Sequence, residues 1–268
     1  MPHIRIHGAQ LYYEEHGAGT DTIVFSHGLL WSGEMFREQV AVLKDRYRVI
    51  TFDHRGQGRS EKTADRLDMD SLAEDAAELI RQRSPDKPVH FVGLSMGGFV
   101  AMRLAARHPE LLKSCILMET SADPEPAENK PRYRQLSWVV RLLGARLVVS
   151  KVMRIMFGQS FLTDPARAEL RREWEGRLAG LERNIHRAVT GVIDRSSIHE
   201  ELKNIRCPTL VLVGEEDVAT VPAKAERIHQ AIAGSELVRI PRAGHTSTIE
   251  NPSDVNRALL DFLARKFA

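Results

Sequence analysis

The chain has 268 residues, 43% of them hydrophobic, and its 38 basic and 36 acidic side chains leave a net charge of +2. This length and composition predict a soluble globular protein made of one large α/β domain, or of one core with an inserted cap. The net charge alone indicates no partner, and the sequence shows no run of basic residues of the kind expected in a nucleic-acid-binding protein, so we expect no nucleic-acid partner.

Targeting and membrane signals are also missing from the sequence. No charged region leads into an apolar stretch at the N-terminus, and the most apolar central window, 136–156, contains four basic residues. These features predict no secretory leader, no membrane partner and a cytoplasmic location. We expect Cys115 and Cys207 to be free thiols, which would lie close together if the two strands that they begin were neighbours.

Short apolar runs recur along the chain. Two β-like runs within 4–15 flank Gly8 and predict a hairpin. The later runs are rich in Val, Ile, Leu and Phe and do not alternate with polar residues, which is typical of parallel strands buried on both faces. They occupy 22–26, 49–52, 89–93, 115–118, 209–213 and 237–240.

Helical segments separate these runs and predict an α/β fold with a mostly parallel, doubly wound sheet. The helices are expected at 33–44, 71–83, 96–107, 222–233 and 253–266. The alternation stops between Met118 and Thr209, and a stretch of this length is too long for a plain loop. We therefore predict an α/β core at 1–120 and 205–268, and a helical cap inserted at 121–204.

The passage most informative about chemistry is Gly93-Leu-Ser-Met-Gly97, which lies between a predicted strand and a predicted helix. It matches the G-x-S-x-G pattern of a nucleophile elbow, in which a serine sits on a tight, strained turn. The glycines are needed because side chains two residues before and after the serine would collide. The pattern predicts Ser95 as the nucleophile.

A serine hydroxyl needs a general base and an acid that orients the base. His245 follows the last predicted strand, beside Gly244, and is predicted to be the base. Asp217 lies in the loop after the strand at 209–213 and is predicted to be the acid, with Asp123, in the loop after the preceding strand, as the competitor. The oxyanion of the intermediate requires two backbone N–H groups, predicted to be those of Met96 and Leu29.

These residues resemble those of the α/β-hydrolase superfamily along nearly the whole chain. The motifs that carry the resemblance are His27-Gly28, the segment DHRGQGRS at 53–60, GLSMGG at 93–98, GEED at 214–217 and Gly244-His245. The resemblance implies an eight-stranded sheet, a Ser-His-Asp triad that needs neither metal nor cofactor, and a cap over the site. A serine at the elbow argues against the dehalogenase and epoxide-hydrolase branches, which carry aspartate there.

Within the superfamily, the elbow and the cap look most like bacterial carboxylesterases and 3-oxoadipate enol-lactonases. We therefore expect a serine carboxylesterase that forms an acyl-enzyme on Ser95, with an enol-lactone hydrolase as the alternative. A cofactor-free perhydrolase, a carbon–carbon bond hydrolase and a non-catalytic binding protein of the same fold also remain open.

Apolar residues near the predicted site indicate a pocket for a small-molecule ester or lactone. Leu30, Trp31 and the cap residue Trp138 are the predicted pocket residues. The segment 121–206 holds 16 basic and 11 acidic residues, an excess that could steer an anionic substrate. The sequence is compatible with either a monomer or a homodimer.

Overall fold

A computed structural model describes residues 2–267, which form one eight-stranded sheet with the strand order β1-β2-β4-β3-β5-β6-β7-β8. The first two strands form the predicted antiparallel hairpin, β2 pairs antiparallel with β4, and the strands from β4 to β8 are parallel. The strands are β1 His3–Ile6, β2 Ala9–His16, β3 Thr22–Ser26, β4 Arg48–Phe52, β5 Val89–Leu94, β6 Leu112–Met118, β7 Thr209–Gly214 and β8 Glu236–Ile240.

Helices connect the parallel strands and cover both faces of the sheet. The α-helices are α1 Arg37–Leu43, α2 Met69–Arg83, α3 Met96–Arg107, α4 Lys130–Leu143, α5 Val149–Met156, α6 Gln159–Thr163, α7 Ala168–Ala179, α8 His186–Ile193, α9 Pro222–Ala231, α10 Ser247–Glu250 and α11 Pro252–Phe267. Short 3-10 helices cover Gly33–Phe36, Pro109–Leu111, Ala145–Leu147, Pro165–Arg167, Arg183–Ile185 and His199–Asn204.

The central strands are apolar on both faces because each face is covered by helices. Every residue of β3, β5 and β7 is buried. One hydrophobic cluster joins the sheet to α2, α3 and α9, and a second joins it to α1 and α11. The predicted α/β fold class and its mostly parallel eight-stranded sheet are therefore confirmed. In such sheets the loops at the carboxyl ends of the strands form the ligand crevice.

The segment 119–208 connects β6 to β7 and contains α4 to α8. Its inner side chains form a cluster of their own around Val140, Val148 and Ile185, and also join the cluster on the α1 and α11 face through Phe157 and Trp174. Burying an apolar stripe in this way stabilises helices that would be marginal alone. The segment thus lies over the carboxyl edge of the sheet as a packed layer.

Two smaller features complete the fold. Cys115 in β6 and Cys207, two residues before the adjacent strand β7, are free thiols, and burial raises the pKa of Cys207 to about 11. Within residues 2–267, none of the helices combines the length and the apolar character needed to cross a bilayer.

Candidate active site

Ser95 lies on the turn between β5 and α3, with backbone angles φ 54° and ψ −110°. A positive φ is costly for a non-glycine residue, so surrounding contacts must hold it. The Ser95 amide donates to the Met118 carbonyl over 2.8 Å, and its own carbonyl accepts from the Thr120 hydroxyl over 2.9 Å. These bonds tie the strained residue to β6 and keep its hydroxyl at the edge of the sheet.

The glycines around the turn are required by close backbone contacts. A Cβ atom on Gly93 would lie 2.2 Å from the carbonyl oxygen of Gly97, and one on Gly97 would lie 2.0 Å from that of Ser26. Both distances are far shorter than a carbon–oxygen contact allows. The spacing of the pattern therefore reflects how closely α3 approaches β3 and β5.

The structure brings Ser95, His245 and Asp217 together although they are far apart in the chain. Nε2 of His245 lies 2.8 Å from Oγ of Ser95, and Nδ1 of the same ring lies 2.9 Å from Oδ2 of Asp217. Because an ionised carboxylate only accepts hydrogen bonds, the ring proton is on Nδ1, and Nε2 is free to accept the serine proton. The three side chains thus form a continuous hydrogen-bonded chain from carboxylate to hydroxyl.

The loop after β7 satisfies the carboxylate of Asp217 almost completely. The amides of Ala219 and Thr220 donate to Oδ1 over 2.8 and 2.9 Å, and the hydroxyl of Thr220 donates to Oδ2 over 2.8 Å. The same hydroxyl lies 3.3 Å from Nδ1 of His245. Thr220 was not identified from the sequence, although its position three residues after the acid matches a side chain that bonds back to an aspartate.

Asp123, the competing candidate for the acid, faces away from the histidine. Its carboxylate forms ion pairs with Lys224 and Arg227 at 3.1 and 3.0 Å. These contacts connect the start of the segment 119–208 to α9. They give Asp123 a structural role, and they leave Asp217 as the partner of His245.

Of the two residues predicted to supply the oxyanion-hole amides, Met96 follows Ser95 directly in the chain, and Leu29 lines the same cavity as Ser95. Met96 is the first residue of α3, where an amide has no partner within its own helix. Leu29 lies in the turn closed by the Trp31 amide and the Gly28 carbonyl, and among residues 2–267 no acceptor takes a hydrogen bond from its amide. The residue with positive φ in this turn is Leu30 at 74°, whose amide donates to Gln57 Oε1 over 3.0 Å.

A buried pair of histidines supports this turn from below. Nδ1 of His27 donates to the Gly28 carbonyl over 2.7 Å, and Nε2 accepts from the His54 amide over 2.9 Å. Burial lowers the pKa of both histidines, so both rings are neutral. His27 is therefore a structural residue under the turn that carries Leu29.

A cavity opens between the sheet edge and the segment 119–208, and Ser95, His245, Leu29 and Leu30 line it. The volume of the cavity is about 140 Å³. Most of its wall is aliphatic. The apolar residues contributed by 119–208 are Leu136, Val140, Ala145, Val148, Val149, Val152, Ile155, Met156, Leu178, Leu181, Ile185, Val189, Val192 and Ile193.

One part of the wall is polar. Glu125, Tyr133 and Arg195 line it, and Arg195 is 7% exposed. The guanidinium of Arg195 donates to Glu125 Oε2 over 2.9 Å and to the carbonyls of Asp123 and Val192, and its carbon lies 4.3 Å from the centre of the Phe99 ring. These bonds use Nε and Nη1, so among residues 2–267 Nη2 has no hydrogen-bond acceptor.

Two of the predicted pocket residues lie outside the cavity lining. Trp31 is 4% exposed and packs edge-on against Trp174 and Phe157, in the core below the site. Trp138 is 59% exposed on the outer side of α4, beside Arg141. Sequence position placed both tryptophans near the site, but the direction of a helix face or a turn decides where a side chain points.

Glu119, the residue that follows β6, was also missed by sequence reasoning. It is fully buried with φ 42°, and neither carboxyl oxygen has a hydrogen-bond partner among residues 2–267, although the Ser247 side chain and the Gly214 backbone lie nearby. Burial, reinforced by the charge of Asp217, raises the pKa of Glu119 well above its usual range. Its environment therefore favours the protonated, neutral form of the carboxyl group.

Metal ligands are not grouped in the described part of the chain: across 2–267, no cluster of three or more His, Cys, Asp or Glu side chains could hold a metal ion. The side chains of Ser95, His245 and Asp217 can supply acid–base and nucleophilic chemistry. A serine hydroxyl hydrogen-bonded to an imidazole, which is in turn hydrogen-bonded to a carboxylate, is the arrangement that activates serine for acyl transfer.

Known proteins share this architecture over their full length. The chain is 27% identical over 263 residues to a putative carbamate hydrolase, RutD, of Caulobacter sp. (strain K31), covering 96% of this chain and 97% of the relative. A thermophilic esterase from Thermogutta terrifontis (malate bound) superposes with a TM-score of 0.92 at 28% identity, covering 100% of both chains. The enol-lactonase from Burkholderia xenovorans LB400 superposes with a TM-score of 0.90 at 27% identity, covering 98% of this chain and 100% of the other.

A family model described as the alpha/beta hydrolase fold matches residues 21–252, which contain β3 to β8 and all three residues of the hydrogen-bonded chain. The match begins just before β3 and ends at the first residue of α11, so it includes the turn that carries Leu29 and the loop that carries His245. The protein is therefore a member of the α/β-hydrolase family.

Proposed function

We propose that the protein is a serine carboxylesterase that hydrolyses small to medium carboxylic esters through an acyl-enzyme on Ser95. The observation that carries this proposal is that Ser95 and His245, which are hydrogen-bonded in series with Asp217, line a largely aliphatic cavity. Apolar walls around a few convergent polar groups are the usual form of a small-molecule site.

The proposed reaction follows from the hydrogen bonds. Oγ of Ser95 attacks the ester carbonyl carbon while Nε2 of His245 takes the hydroxyl proton, and the carbonyl oxygen becomes an oxyanion bound by the amides of Leu29 and Met96. The tetrahedral intermediate expels the alcohol, which receives the proton from His245. Water then attacks the acyl-enzyme with His245 again as base, and the carboxylic acid leaves Ser95 free. Asp217 holds the imidazole in the required tautomer throughout.

We further propose that residues 121–204 act as a cap over this site. The proposal is supported by the lining of the cavity, most of which comes from α4, α5, α7 and α8. Such a layer excludes water and sets the size of the acyl or alcohol group that fits. A cavity volume of about 140 Å³ favours hydrocarbon groups of modest length.

The test is hydrolysis of p-nitrophenyl esters from acetate to palmitate, together with labelling by a fluorophosphonate probe. We expect fast turnover of short and medium esters, and loss of both activity and labelling in Ser95→Ala. Ser137→Ala, which changes another serine of the cavity wall, should keep its labelling. Failure of the wild-type protein to label would instead favour a binding protein of this fold.

Hydrolysis of an enol-lactone is the second candidate, and one observation favours it. Arg195 is a buried cation in the cavity wall whose Nη2 has no acceptor among residues 2–267, so it can bind a carboxylate or carbonyl at the far end of a lactone substrate. In the charge-balanced variant Arg195→Met/Glu125→Gln, an enol-lactone substrate should show a KM raised about tenfold, whereas that of p-nitrophenyl butyrate should change little. Equal changes for both substrates would count against this role.

A carbamate substrate is suggested by the name of the RutD relative, and it belongs in the same panel. The aliphatic wall favours an ester with a hydrocarbon group over a small polar carbamate, because burying unpaired polar groups in such a cavity is unfavourable. Turnover of phenyl carbamate above that of every ester would therefore overturn the carboxylesterase proposal. All of these substrates share the attack by Ser95, so Ser95→Ala remains the common control.

A further inference from the structure

The segment 129–163 has an unusual charge composition. It contains seven basic residues and no acidic residue, although the whole chain has 36 acidic side chains. The basic residues are Lys130, Arg132, Arg134, Arg141, Arg146, Lys151 and Arg154. The near balance of the whole chain therefore conceals a local concentration of positive charge on α4, α5 and the turn between them.

The same segment carries most of the large apolar side chains that are exposed. Trp138, Leu142, Leu143 and Leu147 are 54–65% exposed. Along 138–154 the exposed positions are these four, the four cations Arg141, Arg146, Lys151 and Arg154, and Ser150. We call these four apolar and four cationic side chains the basic apolar face.

The charges of this face are not used for ion pairs within the protein. Across residues 2–267, no carboxylate lies within ion-pair distance of Arg141, Arg146, Lys151 or Arg154, and Arg134, at the edge of the face, pairs with Asp194. Elsewhere the arginines on the surface pair widely, as Arg107 does with Glu201 at 2.7 Å. The free cations are thus available to an external anionic partner.

The apolar side chains of the face are also not needed to wall the cavity. Helices α4 and α5 already line the cavity with their inner residues, such as Val140, Val149 and Val152. Trp138, Leu142, Leu143 and Leu147 are exposed to solvent, and none of them lines the cavity. Leaving four such side chains in water is unfavourable unless something covers them.

Contrary to the expectation of no membrane partner from the sequence, we propose that the basic apolar face docks the protein on an anionic lipid surface. Leu and Trp side chains enter the boundary between headgroups and acyl chains, while Arg and Lys bind the lipid phosphates, which is how interfacial helices bind membranes. The long stems of the cations can lie along the apolar surface while their charges remain at the headgroups. The charge pattern favours lipid over a second copy of this chain, since two such faces would repel each other.

This inference goes beyond the proposed esterase activity and does not rest on it. Binding to lipid requires neither Ser95 nor an open cavity. It would place the outer side of the wall formed by α4 and α5 against the membrane. A substrate released from the bilayer would then meet the protein next to its cavity.

The test uses the full chain with vesicles of phosphatidylcholine alone, or with about 30 mol% phosphatidylglycerol, in a flotation assay. We expect flotation with the anionic vesicles only, and release at about 1 M salt, where charges are screened within about 3 Å. Trp138 gives a second readout, because Trp31 and Trp174 are 4% and 2% exposed. Its emission should shift to shorter wavelength and be quenched by brominated lipids, and Trp138→Phe should remove this change.

A matched pair of variants separates this face from net charge. Replacement of Arg141, Arg146, Lys151 and Arg154 by Gln should lower the partition coefficient on anionic vesicles by at least about tenfold. The control replaces four exposed cations outside the face by Gln: Lys44, Lys87, Lys203 and Arg206. It has the same net charge and should bind like the wild type.

Three results would overturn the proposal. These are absence of flotation with anionic vesicles, equal loss of binding in the two variants, and binding to both kinds of vesicle without salt dependence. A concentration-dependent dimer that buries Trp138 in the absence of lipid, together with no flotation, would assign the face to a second copy instead. Sedimentation velocity of the wild type without vesicles distinguishes that outcome.

Discussion

Two buried carboxyl groups lie at the carboxyl ends of adjacent parallel strands, and their environments are opposite. Asp217, in the loop after β7, receives hydrogen bonds from two amides, the Thr220 hydroxyl and His245. Glu119, directly after β6, is fully buried without a hydrogen-bond partner among residues 2–267, and burial raises its pKa well above the usual range. The comparison teaches that burial alone does not prepare a carboxylate for catalysis, because an ionised group also needs donors.

The largest expected effect comes from Asp217→Asn. The amide of asparagine would donate toward Nδ1 of His245, favour the wrong tautomer and remove the acceptor for the Ser95 proton. We expect kcat on p-nitrophenyl butyrate to fall by about 10⁴-fold with the fold intact. Circular dichroism and thermal unfolding provide the control for folding. A loss below tenfold would show that Asp217 is not the orienting acid.

The double variant Asp217→Asn/Glu119→Gln tests whether the neighbouring carboxyl group can replace the first. Glu119 makes no contact with His245 within hydrogen-bond distance, so we expect the double variant to have the same kcat as Asp217→Asn. Steady-state assays of both proteins at high enzyme concentration measure this. If the double variant lost residual activity present in the single variant, Glu119 would be acting as a substitute acid, contrary to the comparison.

A smaller effect is expected from Thr220→Val. The substitution removes the hydroxyl that donates to Asp217 Oδ2 but leaves both backbone amides in place. Loss of one hydrogen bond to a charged group should lower kcat roughly tenfold. Thr220→Ser, which restores the hydroxyl, is the matched control and should recover most of the activity. Equal rates for valine and serine would show that the two amides suffice.

The smallest effect, on stability alone, is expected from Glu119→Gln. The unfolded chain loses this proton above pH 4.5 whereas the folded protein keeps it, so the contribution of Glu119 to stability falls as the pH rises. Glutamine does not titrate. At pH 7 the variant should therefore be more stable in urea by on the order of 1 kcal/mol, with kcat unchanged.

The pH dependence provides the check on this interpretation. The advantage of Glu119→Gln should shrink toward pH 4, where the carboxyl group is protonated in both the folded and the unfolded chain. An advantage that is the same at pH 4 and pH 8 would mean that packing, and not ionisation, causes it. Urea titrations at several pH values measure the difference.

Much of the fold could be predicted from the sequence because its signals are local. Buried parallel strands are apolar throughout, and the strand predicted at 22–26 is β3 as the structure has it. The predicted helix at 96–107 matches α3 as well. The glycines at 93 and 97 predicted the elbow, since no other residue fits the backbone contacts there. The three side chains nominated from the sequence do meet in the structure, and their catalytic role is our proposal.

Other features were decided only by tertiary contacts. The structure favours Asp217 over Asp123 because Lys224 and Arg227 of α9 form ion pairs with the carboxylate of Asp123. Both cations are far from Asp123 in sequence, so the sequence does not reveal these pairs. The directions of Trp31 and Trp138 depend on how a turn and a helix are rotated in the packed layer.

The sequence by itself therefore determined the strands, most helices of the core and the elbow, because each is specified by residues within one or two turns of chain. Only the tertiary structure decided which polar groups are satisfied, as for Asp217 and Thr220, and which have no partner within residues 2–267, as for Glu119 and Nη2 of Arg195. The physical reason is that the protonation and hydrogen bonding of a buried group depend on atoms contributed by distant parts of the chain.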